Sequence, residues 1–233
     1  MWLIRGTPAI LKPLGKMCWP GAGDSSPNCK KQNADSMGYR ILCYGDSNTY
    51  GYDPQSCLGG RYPESVRWTA LLQSQGWNIF NAGQNGRSIP RNPWEIESLA
   101  QIIHRQQPDI ITVMLGTNDL LQSPGLSDAS CADRMERFIG TLLEQAPLCQ
   151  FFLIAPPPMA LGAWVDDPRI IETSQRLGVQ YQAAAQKLGI AFADANDWNV
   201  ELAYDGVHFS ERGHKAFSIG ISKELAELAG DTL

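Results

Sequence analysis

The stretch "RILCYGDSNTYGYDP", residues 40–54, begins as an apolar run and then presents Asp46, Ser47, Asn48 and Thr49 between Gly45 and Gly51. A short apolar run ending at a glycine is the pattern of a strand buried on both faces, as in a parallel sheet. A hydroxyl placed where such a strand ends stands at the edge on which open α/β sheets carry their ligands. The fold therefore turns on whether the rest of the chain repeats this unit.

It does. Apolar runs at 77–81, 110–115, 151–155 and 190–193 alternate with amphipathic stretches at about 65–74, 94–105, 131–145, 168–188 and 211–228. Five strands and five helices in alternation predict an α/β fold around a mostly parallel sheet. The 233 residues are enough for one sizeable core. Residues 1–36, with four prolines and no sustained period, read as an extension or a start codon placed too early, and the domain as residues 37–233.

Composition excludes several classes of function. A formal net charge of −5 with no long basic run argues against a nucleic-acid partner. No apolar stretch approaches the roughly 18 to 20 residues of a membrane-spanning helix, and the chain reads as cytoplasmic rather than exported. Six cysteines, at 18, 29, 43, 57, 131 and 149, form no CxxC pair and no cluster with histidine. They read as reduced thiols, with Cys43 a small buried hydrophobe, and neither metal nor cofactor is expected.

The loops after the strands carry the polar residues: Gly45-Asp46-Ser47-Asn48, then Asn81-Ala82-Gly83-Gln84-Asn85-Gly86, then Gly116-Thr117-Asn118-Asp119, and finally Asp205-Gly206-Val207-His208. A serine hydroxyl needs a base to remove its proton as it attacks. Of the three histidines, His104 falls in a helical pattern and His214 lies beside charged residues of the last helix, so both are expected on the surface. His208 remains. Asp205, three residues earlier across a turn containing Gly206, is the carboxylate to hold its tautomer.

These four blocks, in this order, resemble the SGNH or GDSL-type esterase and lipase family over residues 39–229. The strings "RILCYGDSNTYGY", "VRWTALL" and "VMLGTND" look most similar to bacterial arylesterases and acyltransferases. The resemblance implies a three-layer α/β/α flavodoxin-like sheet with strand order 2-1-3-4-5. It also implies hydrolysis of short-chain acyl or aryl esters through an acyl-enzyme, with acyl transfer as a possible companion, and neither metal nor cofactor. Its D-x-x-H pattern matches Asp205 and His208. By the same resemblance the oxyanion donors are the backbone N–H groups of Ser47 and Gly86 and the side-chain amide of Asn118, with Gly83 competing for the place of Gly86.

Asn48 departs from the family string, which often has leucine there, and bears on pocket shape. Asp46 reads as a loop holder, Arg87 and Asp119 as solvated loop residues. Tyr50, Tyr52, Trp164 and Val207 lie in or near the site loops, and Tyr52 and Val207 are the candidate substrate contacts. Residues 155–168, "APPPMALGAWVDDP", fit either a cover over the pocket or a subunit contact in a homo-oligomer, and both stay open. Two other functions remain in view. One is an O-acetyl esterase of carbohydrate or peptidoglycan, using the same residues on a small-molecule ester. The other is a noncatalytic binding module, for which "GDSNTYG" offers only part of a phosphate-cradling loop.

Overall fold

The computed structural model describes residues 38–56 and 58–230. The expectations for residues 1–36 and for Cys18, Cys29 and Cys57 fall outside them. The strands are β1 (Arg40–Gly45), β2 (Asn78–Gly83), β3 (Ile110–Met114), β4 (Gln150–Ala155) and β5 (Ala191–Asp194). All pair in parallel, in the order β2-β1-β3-β4-β5. The helices are α1 (Ser47–Tyr50), α2 (Trp68–Ser74), α3 (Pro93–Gln106), α4 (Thr117–Gln122), α5 (Asp128–Gln145), α6 (Pro168–Leu188) and α7 (Glu211–Leu228), with a 3₁₀ turn at Ala195–Trp198. The expected sheet order is thus observed, while α1 and α4 are helices where the sequence suggested loops.

Alternation along β1 explains the layering. Leu42 and Tyr44 face one core, with Met135, Phe138 and Leu142 of α5 and Leu177 and Tyr181 of α6. Ile41 and Cys43 face the other, with Trp68 and Leu72 of α2 and Phe217, Ile221 and Leu225 of α7. A strand buried on both faces leaves no room for polar side chains until the chain leaves the sheet. The first polar residues therefore gather at the carboxyl edge.

Cys43, Cys131 and Cys149 are free thiols. Burial pushes the Cys43 thiol up to about 12, as befits a core hydrophobe. Among the described residues no helix is long and apolar enough to cross a membrane.

Candidate active site

The site begins where β1 ends. Asp46 caps the single turn of α1, its carboxylate accepting the Asn48 N–H at 2.9 Å, so Ser47 is the first residue of the helix and its hydroxyl is held at the sheet edge. Asp46 is a loop holder, as expected. Burial pushes its carboxyl up to about 6, against the opposing pull of the Asn48 N–H, His208 and Arg87.

His208 approaches from the other half of the chain. The Ser47 hydroxyl donates to His208 Nε2 at 3.0 Å, and His208 Nδ1 donates to Asp205 Oδ2 at 2.6 Å. Asp205 Oδ1 accepts the backbone N–H groups of Val207 and His208, both at 2.9 Å, which folds residues 205–208 into one rigid turn. Burial raises the Asp205 pKa, but the bonds from His208 and Val207 outweigh it and the net shift is downward. The carboxylate stays charged beside the imidazole and fixes its tautomer.

The loop after β2 separates the two competing glycines. The Gly83 N–H is occupied, donating to Asn81 Oδ1 at 2.8 Å. The Gly86 N–H meets no acceptor among the described residues, and Gly86 faces the same cavity as Ser47. Asn118, in the first turn of α4, donates its Nδ2 to the Arg87 carbonyl at 3.1 Å and more distantly to Asp46 Oδ2 at 3.5 Å. The structure thus brings Ser47, Gly86, Asn118, Asp205 and His208 together.

Three expectations are overturned. Asp119 is not solvated: its carboxylate is buried, accepts the Ile89 N–H at 2.8 Å and pairs with Arg134 at 3.1 Å. Arg87 is half-buried and anchored rather than a free loop residue. Its guanidinium lies 4.1 Å over the Tyr44 ring and donates to the carbonyls of Gly45 and Ala82. His214 is fully buried rather than exposed, its Nδ1 accepting the Trp68 N–H at 3.4 Å while Nε2 has no partner. Burial, with Arg67 and His208 nearby, lowers its pKa to about 3, so it is a neutral core residue. His104 is exposed, as expected.

Asn48 also differs from its expected part. It does not line the cavity at all. Its buried amide donates to the Val207 carbonyl at 3.1 Å and accepts the Phe209 N–H at 2.9 Å, clasping both neighbours of His208.

The cavity over Ser47 has a volume of about 220 Å³. Tyr52, Val207, Trp164 and Leu121 supply its apolar walls, and Asn85 joins Gly86 and Asn118 on the polar side. The Tyr52 and Trp164 rings lie 4.6 and 4.9 Å from the His208 ring. Tyr50 is elsewhere, under Arg61. Leu121 was legible only once α4 was known to be helical, because it follows Asn118 by three residues and shares its face. Within residues 155–168, Trp164 and Ala163 donate their N–H groups to the carbonyls of Asp205 and Tyr204. Of this stretch, Trp164 lines the cavity.

A parallel sheet in the order 2-1-3-4-5 with a hydrogen-bonded serine, histidine and aspartate at its carboxyl edge is the architecture of the SGNH hydrolases. The sequence pattern of the GDSL-like Lipase/Acylhydrolase family matches residues 43–216, and the chain belongs to that family. It is a carboxylic-ester hydrolase. Among solved structures it is similar to Est24, a carbohydrate acetylesterase from Sinorhizobium meliloti (26% identity, TM-score 0.70, covering 82% of this chain and 99% of that one). It is also similar to a putative arylesterase from Agrobacterium tumefaciens (25%, TM-score 0.70, 81% and 99%). The aryl esterase of M. smegmatis shares the fold at 24% identity (TM-score 0.72, 82% and 99%). No curated protein matches the chain in sequence.

Proposed function

We propose that the protein hydrolyses esters of short acyl groups through an acyl-enzyme on Ser47. The observation that carries this reading is the 3.0 Å bond from the Ser47 hydroxyl to His208 Nε2 at the floor of a cavity only about 220 Å³ in volume. His208 takes the hydroxyl proton as Ser47 Oγ attacks the ester carbonyl, and Asp205 steadies the imidazolium that results. The oxyanion is met by the N–H groups of Ser47 and Gly86 and by Asn118 Nδ2, each worth about 100- to 1,000-fold in turnover in comparable sites. His208 then passes the proton to the departing alkoxide. A water, deprotonated by the same imidazole, releases the acid from Ser47.

The cavity limits the acyl group. Pockets for drug-sized ligands run to roughly 300–1,000 Å³, and the walls of Trp164, Tyr52 and Leu121 close a smaller space than that. Acetyl to butyryl esters are the expected substrates, with kcat/KM falling steeply for longer chains. A chain-length series of p-nitrophenyl esters, with a fluorophosphonate probe located by peptide mass, tests both parts. Labelling at a residue other than Ser47, or a preference for long chains, overturns the reading.

A further inference from the structure

The serine and its base sit on two separate pieces of chain, each closed by its own bonds. In the turn that ends β1, the Asp46 carboxylate accepts the Asn48 N–H, and the Tyr50 and Gly51 N–H groups return to the carbonyls of Asp46 and Ser47. In the turn of Asp205 and His208, Asp205 Oδ1 accepts the Val207 and His208 N–H groups. Other segments anchor that second turn: the Ala203 N–H donates to the His208 carbonyl at 2.7 Å, and the Ala160 and Trp164 N–H groups donate to the carbonyls of Gly206 and Asp205 at 3.0 and 3.1 Å. None of these bonds reaches the turn of Ser47.

Three hydrogen bonds join residues 45–51 to residues 205–209. One is the contact of the Ser47 hydroxyl with His208 Nε2 itself. The other two come from the buried Asn48 amide, one to the residue before His208 and one to the residue after it. The backbone that carries this amide is fixed in turn, because the Asn48 carbonyl accepts the Trp68 indole N–H at 2.9 Å. A misplacement of about 1 Å between reacting groups costs about 100-fold in rate. We propose that Asn48 is a positioning residue that sets the register of His208 over Ser47, acting through the backbone on both sides of the imidazole. The inference rests on the acyl-enzyme reading given above. It separates the two legs of the triad: the bond from His208 to Asp205 is made within one turn and does not need Asn48, whereas the bond from Ser47 to His208 crosses between the turns and does. A leucine at position 48 could fill the space but could neither donate to the Val207 carbonyl nor accept the Phe209 N–H.

The test is saturation kinetics of inactivation by a fluorophosphonate, which give a limiting rate kinact and a binding constant KI. In that reaction Ser47 Oγ bonds to phosphorus, fluoride departs and His208 takes the hydroxyl proton, so kinact reads the register of the pair with no deacylation step. Asn48→Ala removes both bonds and leaves room for water at the Val207 carbonyl and the Phe209 N–H. Its kinact should fall by about 100-fold with KI unchanged. Asn48→Leu fills the space without the bonds and should not recover the rate. The low-field NMR proton of the bond from His208 Nδ1 to Asp205 should persist in both variants. A kinact near that of the wild type, recovery by leucine, a loss carried by KI, disappearance of the Nδ1 proton, or failure of both variants to fold overturns the positioning role while leaving the esterase reading intact. A wild-type protein that is not labelled at Ser47 overturns that reading, and the positioning role with it.

Discussion

Asp119 Oδ2 accepts the backbone N–H of Ile89 at 2.8 Å, and this bond fastens the loop after β2 to the helix after β3. Those two segments carry Gly86 and Asn118. The carboxylate has no exposed surface and its other oxygen takes Arg134 at 3.1 Å, so Asp119 acts as a strut between two of the proposed oxyanion donors.

Asp119→Ala should destabilise the protein by about 3–5 kcal/mol, the usual cost of breaking a buried pair by removing one partner. Turnover should fall with little change in KM, because donors set by this strut matter most to the transition state. Asp119→Asn, which keeps an acceptor for the Ile89 N–H, should recover part of both. Urea unfolding with kcat and KM for the three proteins checks this, and a stable, fully active Asp119→Ala would count against it.

The two glycines of the loop after β2 should respond differently to alanine. A Cβ at Gly83 would overlap the backbone of Thr49 and Tyr50, so the substitution pushes directly on the helix that carries Ser47. Gly83→Ala should lose both stability and activity. At Gly86 there is open space, and the cost is confined to its φ of 72°, about 1–2 kcal/mol for a residue with a Cβ. Gly86→Ala should remain folded with a modest loss of turnover. Melting temperatures and kcat/KM distinguish the two sites.

Asp205→Asn should lower turnover on the order of 10,000-fold, because an amide at that position no longer fixes the proton on His208 Nδ1. Measuring kcat/KM for the wild type and Asp205→Asn checks this. A near-normal rate in the variant would remove Asp205 from the mechanism.

His214 makes stability depend on pH. Its folded pKa, about 3, lies below the ordinary histidine value of 6.5, so the unfolded chain binds a proton that the folded chain refuses. Stability from this residue is complete above pH 6.5 and declines as pH falls toward 3, by up to about 1.4 kcal/mol per unit. Asp46 acts in the opposite sense. Its pKa is raised from 3.8 to about 6, so its contribution is lost as pH rises between those values. The two slopes offset one another in the wild type between about pH 4 and 6. Replacing His214 by phenylalanine should therefore expose a protein that gains stability on acidification through that window, measurable as the difference in urea midpoints between the two proteins.

The sheet was legible because strands buried on both faces leave long apolar runs between helical patterns. The short helices were not. Four residues at Ser47–Tyr50 and six at Thr117–Gln122 span too little chain to show a period of 3.6, and their glycines read as loops. Taking α4 for a loop is what made Asp119 look solvated. His214 was misjudged for another reason: Glu211, Arg212 and Lys215 are its neighbours in sequence, whereas Phe217, Ser218, Ile221 and Leu225 are its neighbours on the buried face of α7. Periodicity outweighs adjacency on a helix. Ser47 could be read from sequence because it stands where β1 ends, and Asp205 and His208, well beyond β5, because their D-x-x-H spacing puts a carboxylate one turn before an imidazole. The clasp of Asn48 could not, since it joins residues 159 and 161 positions apart.

On the proposed mechanism that clasp also sets when the enzyme becomes reactive. Ser47 belongs to the first strand-and-turn unit of the fold and precedes His208, which follows the last strand. With Ser47 as nucleophile and His208 as its base, the hydroxyl is as inert as any other until residues 207–209 reach the Asn48 amide. A nascent chain that stalls before β5 therefore exposes no activated nucleophile to the thioesters and esters of its surroundings, and reactivity arrives only with completion of the fold.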